Sequence, residues 1–463
     1  MSEEHDPRTD AARELERLTP VPPVAEQAPT TPPAASVERG ALRRLGSLVV
    51  VDVAPLRRHR DFRLLYASQT VSELGSYLTF VAVPYQAYQL TGSSLIVGLV
   101  SLAELLPILV VALVGGAFSD AVDRRRLVQV AEIGGGLSAG LLLANSLLAE
   151  PRVWLLFVAA AGGAAFYAVL RPAIDPMMPR LVDRDEIPGA TALEHFRTNT
   201  AAIAAPAVAG LLIASVGVPV TYAIDAGTYA VSLLFLSLMR RMPPPEDADR
   251  PSLRGVIEGI RYARSRPELM GTYVVDIVAM LFGMPMALFP AFAEELGGPA
   301  VLGLLYAAPS VGSIAASLTS GWTKRVHRHG LAVVLAAGVW GAGVTVFGLA
   351  QGLPLALASL AVAGAADSVS GIFRTTIWNQ TIPDRLRGRL AGIEMISYTS
   401  GPLLGNVESG LVAAFAGIRA SAVSGGILCI VGVAAVAVAI PALSLYDSRK
   451  DGAVPRRDPG ADT

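Results

Sequence analysis

Cysteine is almost absent. Cys429 stands alone in 463 residues, so no internal disulfide can form, and its apolar surroundings read as helix packing. Histidine is nearly as scarce: His5, His59, His195, His327 and His329 fall in tails, loops or helix ends. These residues build no metal-ligand spacing and no Ser/His/Asp set, so no metal, no cofactor and no enzymatic chemistry are expected. Charge is the third shortage. Charged residues are 16% of the chain, where a soluble domain needs about 25% to wet its surface. Lipid must therefore solvate much of this one. No glycine-rich loop followed by Lys and Ser or Thr occurs, so ATP is not the expected energy source. The net charge is −1, and nothing points to a nucleic-acid partner.

What is present is apolar and small. Hydrophobic residues make up 52% of the chain and mean hydropathy is +0.51. Gly (45 residues) and Ala are abundant, and small residues let membrane helices approach closely. A membrane helix needs roughly 20 apolar residues. Twelve such spans are predicted: about 63–89, 94–118, 127–148, 153–178, 189–215, 219–239, 268–292, 299–322, 331–350, 354–377, 389–415 and 420–445. The first begins too deep in the chain for a cleaved leader, so it is expected to be its own insertion signal.

The ends and the middle are polar. Residues 1–57, with Pro22-Pro23 and Pro32-Pro33, are expected to be a disordered cytoplasmic tail. Residues 58–240 and 268–446 are expected to form two six-helix bundles, joined by a cytoplasmic loop at 241–267 and followed by a tail at 447–463. In that loop, Leu253, Val256, Ile257 and Ile260 recur at helical spacing, which predicts an amphipathic helix on the membrane face.

Alternate links differ in charge. One set is basic: Arg57, Arg58 and Arg60; Arg124, Arg125 and Arg126; Lys324, Arg325 and Arg328; Arg385, Arg387 and Arg389; Arg449 and Lys450. The other set carries only Arg152 and Arg419. Positive residues stay inside, so both termini are expected in the cytoplasm of a multi-pass plasma (inner) membrane protein. The halves also repeat. Gly116 maps onto Gly321 (321 − 116 = 205), Arg171 onto Arg374 (374 − 171 = 203) and Pro206 onto Pro402 (402 − 206 = 196). Duplicated six-helix halves with a site between them are a transporter architecture.

The most informative loop runs from Gly115 through Gly116, Asp120 and Asp123 to Arg124-Arg125-Arg126. A Gly, an Asp four residues on and a basic cluster resemble the signature between the second and third helices of the major facilitator superfamily. That resemblance implies a cytoplasmic latch of the outward-open state, made by Gly116, Asp120, Arg124, Arg125 and Arg126. Its second-half counterpart, Gly321-Trp322-Thr323-Lys324-Arg325, lacks the Asp. Ala205-Pro206-Ala207-Val208-Ala209-Gly210 resembles a degenerate form of the motif of proton-coupled exporters, and equally suits plain small-residue packing.

Further stretches are similar to the enterobactin-exporter group of that superfamily. They are Val81-Ala82-Val83-Pro84, Ala287 to Glu294, Gly303 to Pro309 and Leu318 to Gly321. The likeness spans roughly residues 60–446. It implies a major facilitator fold and proton-driven export of a siderophore or related small molecule.

Ionisable residues within spans are the default functional candidates, because each is expensive to bury unpaired. Glu73 and Glu104 lie near mid-depth in the first and second spans, and Arg197 in the fifth. Asp276 in the seventh matches Glu73 across the repeat (276 − 73 = 203). A carboxylate away from water holds a proton more readily than one in water, so Glu73 and Asp276 are the expected proton carriers. Glu104, Arg197 and Asp225 are the expected cavity residues. A static ion pair that fixes helix packing is the alternative for each. Arg171 and Arg374, counted along their spans, fall at the cytoplasmic edge and suit an inner gate, with Asp175 as a partner, or interfacial snorkelling. Asp367, Glu132 and Glu394 are weaker candidates, and Tyr222, Asp225 and Tyr229 share one helix face.

The expected protein is an all-α, monomeric, alternating-access transporter in the lipid bilayer, with a small molecule and protons as partners. A multidrug exporter of the same fold and a non-transporting membrane sensor are the rival readings.

Overall fold

The computed structural model describes residues 52–119, 123–242 and 260–450. At 112–119, 171, 384–385, 387–389, 391–393 and 395–396 it describes the helix path without the side chains. Among the described residues every regular element is helical. The long helices are α1 (Arg60–Thr91), α2 (Ser94–Ser119), α3 (Arg124–Ser146), α4 (Val153–Ile174) and α5 (Ile187–Leu238). They continue as α6 (Pro267–Phe282), α7 (Phe289–Leu296), α8 (Pro299–Leu318), α9 (His329–Leu349), α10 (Leu353–Thr381), α11 (Asp384–Ala416) and α12 (Ile418–Ala439). Leu318, Phe415 and Val438 are 83%, 86% and 80% exposed. Such side chains on the outside of a helical bundle suit hydrocarbon, not water.

By length and apolarity alone the described residues give nine spanning segments rather than twelve. The difference has two physical sources. Residues 187–238 run as two consecutive helical legs, divided at Gly217 (φ 85°, ψ 171°), which is not helical. Only glycine enters that region without strain. Helices α1 and α11, at 32 and 33 residues, are long enough but carry polar groups along their length. Gly417 repeats the Gly217 geometry (φ 87°, ψ 160°) between α11 and α12, at an offset of 417 − 217 = 200. The duplicated halves thus share a backbone break as well as sequence.

The predicted span at 268–292 is interrupted. Helix α6 ends at Phe282, and the chain passes Gly283, Met284 and Pro285 and a 3-10 turn at Met286–Leu288 before α7. Proline cannot donate an amide and stops the ladder. Broken backbone at membrane depth persists only where protein satisfies it. Asn406 of α11 does so: its Oδ1 accepts from the Ala287 amide at 3.2 Å, and its Nδ2 donates to Ser101 of α2 at 3.1 Å.

Helices α1–α5 pack among themselves, as do α6–α12; the two sets meet chiefly where α2 crosses α11 and α5 crosses α8. The second crossing is a glycine contact. A Cβ on Gly210 would lie 2.7 Å from the Pro299 carbonyl and 2.8 Å from the Gly303 amide. Without a hydrophobic force in lipid, such close approach is what holds helices together. Gly210 closes the Ala205–Gly210 motif, which therefore lies at the junction between halves.

The apolar cores differ at the two ends of the bundle. Away from the basic loops one cluster spans both sets, joining Val81 and Tyr222 to Phe289, Leu302, Leu305 and Phe347. At the basic end the cores are separate. Leu65, Val128, Met177 and Leu236 belong to the first set, and Leu269, Ile382, Leu386 and Leu390 to the second. The halves are joined at one end and individually packed at the other. Of the predicted amphipathic helix, only Ile260 onward is described, as a helical turn running into α6.

Candidate functional site

Two arginines inside the bundle are each shared by two carboxylates. Arg197, on the first leg of α5, donates through Nη1 to Glu73 of α1 and through Nη2 to Glu194 at 2.6 Å. Glu194 lies three residues earlier on the same helix, at the spacing that makes helical neighbours. Tyr66 of α1 donates to the Leu193 carbonyl at 3.3 Å and braces the same crossing. The site is partly open, with side-chain exposures of 11% for Arg197 and 24% for Glu73.

The second cluster has the same composition. Arg374 of α10 is ion-paired with Asp276 of α6 and lies 3.6 Å from Asp367, about two turns earlier on α10. Ser397 of α11 donates to Asp276 Oδ2 at 3.2 Å. Glu73 and Asp276 correspond in the repeat (276 − 73 = 203). The position matching Arg374 is Arg171, whose side chain lies outside the described residues. At the helix offset of 196, Arg197 maps onto Ile393, so the second half has no basic counterpart there.

These placements revise the sequence-based sorting. Arg374, expected at a cytoplasmic gate, is instead the partner of Asp276, expected as a proton carrier. Counting residues locates a Cα, whereas an arginine delivers its charge several bonds away. Asp225, expected in the cavity, is 1% exposed and turned into protein. Thr79 of α1 donates to it and Thr228 to its Oδ1 at 3.4 Å. The whole helix face named from the sequence packs on α1: Tyr222 donates to Gln86 at 2.9 Å and Tyr229 meets Ser76 at 3.0 Å. Glu132, also 1% exposed, accepts from Gln69 at 3.5 Å in the same seam. Glu104 is half-buried near Tyr306 of α8, and among the described residues it has no ion-pair partner.

The described part of the basic loop is anchored through Asp123 and Arg125. Asp123 caps α3, its Oδ1 accepting from the amides of Arg125 at 3.0 Å, Arg126 at 3.4 Å and Met242 at 3.4 Å. The Arg125 guanidinium donates to the carbonyls of Met239 (2.6 Å) and Ser237 (2.8 Å) at the end of α5, where helix carbonyls lack partners. Arg124 is buried and Arg126 exposed. Asp120 lies outside the described residues, and Gly116 lies where only the helix path is described. Sequence reasoning passed over Asp123, although an acid immediately before a basic helix start is a capping signal. It also missed Glu194, legible in its i,i+3 spacing to Arg197. A further cluster at the basic end joins His59 to Glu186 at 2.7 Å, with Arg58 on the other Glu186 oxygen at 2.8 Å. His59, Asp183 and Glu186 bring ligand-type atoms within 4.8 Å of one another, but Arg58 already neutralises the buried member.

The transmembrane secretion effector family matches residues 50–456. The chain belongs to that family of major facilitator transporters. The transporter is 27% identical to the enterobactin exporter EntS of Shigella boydii serotype 4 (strain Sb227) over 387 residues, which are 83% of this chain and 93% of that protein. Among solved structures it is similar to the nucleoside transporter NupG (TM-score 0.67, 13% identity, covering 84% of this chain and 100% of that one). It is also similar to a bacterial homologue of the human lysosomal transporter Spinster in an inward-facing, unoccupied conformation (TM-score 0.64, 14% identity, 83% and 96% covered). At these identities the structures establish the fold alone. The transporter is a multi-pass membrane protein, and the resemblance drawn from the motifs holds at the level of fold and family.

Proposed function

We propose that this transporter exports a small molecule across the plasma (inner) membrane in exchange for protons, with a siderophore as the first substrate to test. The carrying observation is that each half holds one guanidinium between two carboxylates. When a proton binds Glu73, Arg197 keeps Glu194, so no cation is left unpaired in the membrane. When the proton leaves, Glu73 competes for the guanidinium again. Asp276, Asp367 and Arg374 offer the same exchange in the second half. Protonation thus rearranges the cluster at low cost, which a simple buried pair does not allow, since breaking one costs about 3–5 kcal/mol.

On this reading the basic loops are cytoplasmic, because positive residues stay inside, and so is the separately packed end. The joined end then faces outward, so the conformation is inward-facing, ready to load a cytoplasmic substrate. Latch residues Gly116, Asp120 and Arg124–Arg126 belong to the opposite state, in which the cytoplasmic halves meet. Likeness to an enterobactin exporter supports the siderophore. The test is siderophore in the medium of an iron-starved host lacking the gene, against the complemented strain. Loss of secretion with accumulation inside supports the reading; unchanged secretion in a host without a second exporter refutes the substrate.

One observation favours a second reading. Glu104 is an acid within the second span that has no ion-pair partner among the described residues. An acidic interior suits organic cations, as a multidrug exporter requires. Protection against a broad panel of toxic cations, with no effect on siderophore, would establish it.

A further inference from the structure

A groove of about 730 Å³ opens beside the start of α6, walled by the turn at Ile260–Arg264, by α6, by α11 and by the end of α12. Its size falls within the range of about 300–1,000 Å³ typical of small-molecule sites. The wall is mostly aliphatic: Ile260, Met270, Val274, Ile277 and Ile440 line it. Ile277 is ten residues along α6 from Pro267 (277 − 267 = 10), so the groove descends about 15 Å from the helix start. That is the path of an acyl chain entering from the headgroup level.

The mouth is cationic. Arg264 lines it and Arg261 stands one helical turn away, both exposed, and among the described residues neither has an ion-pair partner. Arg266, by contrast, is neutralised by Glu268 at 2.6 Å. The turn that carries the two arginines is held in place, because Tyr262 donates to the Thr381 carbonyl at 2.6 Å and Ala263 is buried. An apolar slot with Arg264 on its wall and Arg261 one helical turn away matches one ligand chemistry, an apolar chain with an anionic head.

We propose that this groove binds an anionic phospholipid, its phosphate on Arg261 and Arg264 and one acyl chain along α6 between α11 and α12. The inner wall includes Ser397, whose hydroxyl holds Asp276, so the occupant touches the helix that positions the second carboxylate cluster. The binding is independent of what the transporter carries and is read without substrate.

The test uses the full chain reconstituted in nanodiscs of equal parts phosphatidylglycerol and phosphatidylcholine, released into native mass spectrometry to measure which lipid stays bound. The wild type is expected to retain one phosphatidylglycerol in preference to phosphatidylcholine. Each arginine near the headgroup contributes about five-fold, so R261Q/R264Q should lower that preference by roughly thirty-fold while leaving the fold intact, both side chains being exposed. V274W, which fills the slot, should lose both lipids. Equal retention of the two lipids by the wild type, or an unchanged preference in R261Q/R264Q, overturns the proposal. Lipid retention unaffected by V274W, with transport abolished in every membrane, would make the groove the substrate's own route and overturn it as well.

Discussion

Arg197 offers the sharpest test of the shared-guanidinium arrangement. It is 11% exposed and bonded to Glu73 and Glu194 at once. R197Q removes the cation that Glu73 and Glu194 share, and removing one partner of a buried pair costs about 3–5 kcal/mol. The lower end applies, because Glu73 and Glu194 are 24% and 26% exposed and water relieves part of the repulsion. E73Q leaves Arg197 bonded to Glu194 at 2.6 Å and should cost under about 1 kcal/mol, as a pair with one neutral hydrogen-bond partner does. In the double variant Glu194 alone has lost its cation, so about 2 kcal/mol should return as coupling energy. Reversible unfolding of the four proteins in one detergent measures the cycle. Additive effects would refute the shared arrangement. Transport supplies the second readout: E73Q should lose proton-driven export at least ten-fold while retaining substrate exchange without a gradient. Full proton-driven export in both E73Q and D276N would remove these carboxylates from coupling.

Four further outcomes are expected. G303L forces side-chain atoms into Gly210 at the α5–α8 crossing, where overpacking costs about 1–3 kcal/mol, and should open the joined end to a membrane-impermeant thiol reagent on an introduced cysteine; unchanged labelling would contradict the close contact. N406L leaves the Ala287 amide without its acceptor and should destabilise by about 1–3 kcal/mol in the same unfolding assay, whereas N406D should recover most of it. D123A removes the α3 cap and should cost about 1 kcal/mol, with D123N close to wild type. D225N should preserve export within two-fold if Asp225 only joins helices, since an amide oxygen still accepts from Thr79; loss of proton coupling in D225N would move Asp225 into the transport cycle.

The membrane spans were legible because lipid demands long apolar runs and leaves few other ways to write them. Glu73 and Arg197 were legible as individuals, and their meeting follows from similar depth on neighbouring helices. Arg374 was not, because depth counted on the backbone ignores the length of its side chain. Asp225 was misplaced for a related reason: helical periodicity groups Tyr222, Asp225 and Tyr229 on one face but cannot say whether that face meets a cavity or α1. The break before α7 was written in Gly283 and Pro285 and was overridden by the apolar count around them. What lies beyond sequence in that case is Asn406, more than a hundred residues away, which makes the break tolerable.

The contacts that close one end are of a kind that can be exchanged. The joined end is held by the apolar cluster that spans both sets, by close packing at Gly210–Gly303 and by the Asn406–Ser101 bond. A switch to the opposite state gives up these contacts and gains others between the separately packed cores around Leu65 and Leu269. Opposing states built from similar packing differ by only a few kcal/mol, a gap that a ligand or proton can bias. The carboxylate clusters sit on α1, α5, α6, α10 and α11, and of these α5 and α11 also make the crossings between halves. Rearranging Arg197 moves the first leg of α5, and releasing Ser397 from Asp276 frees α11 beside it. In the proposed proton-coupled cycle, protonation and the crossings act on the same two helices, and this shared placement would carry the effect of a proton on one side chain to the junction between the halves.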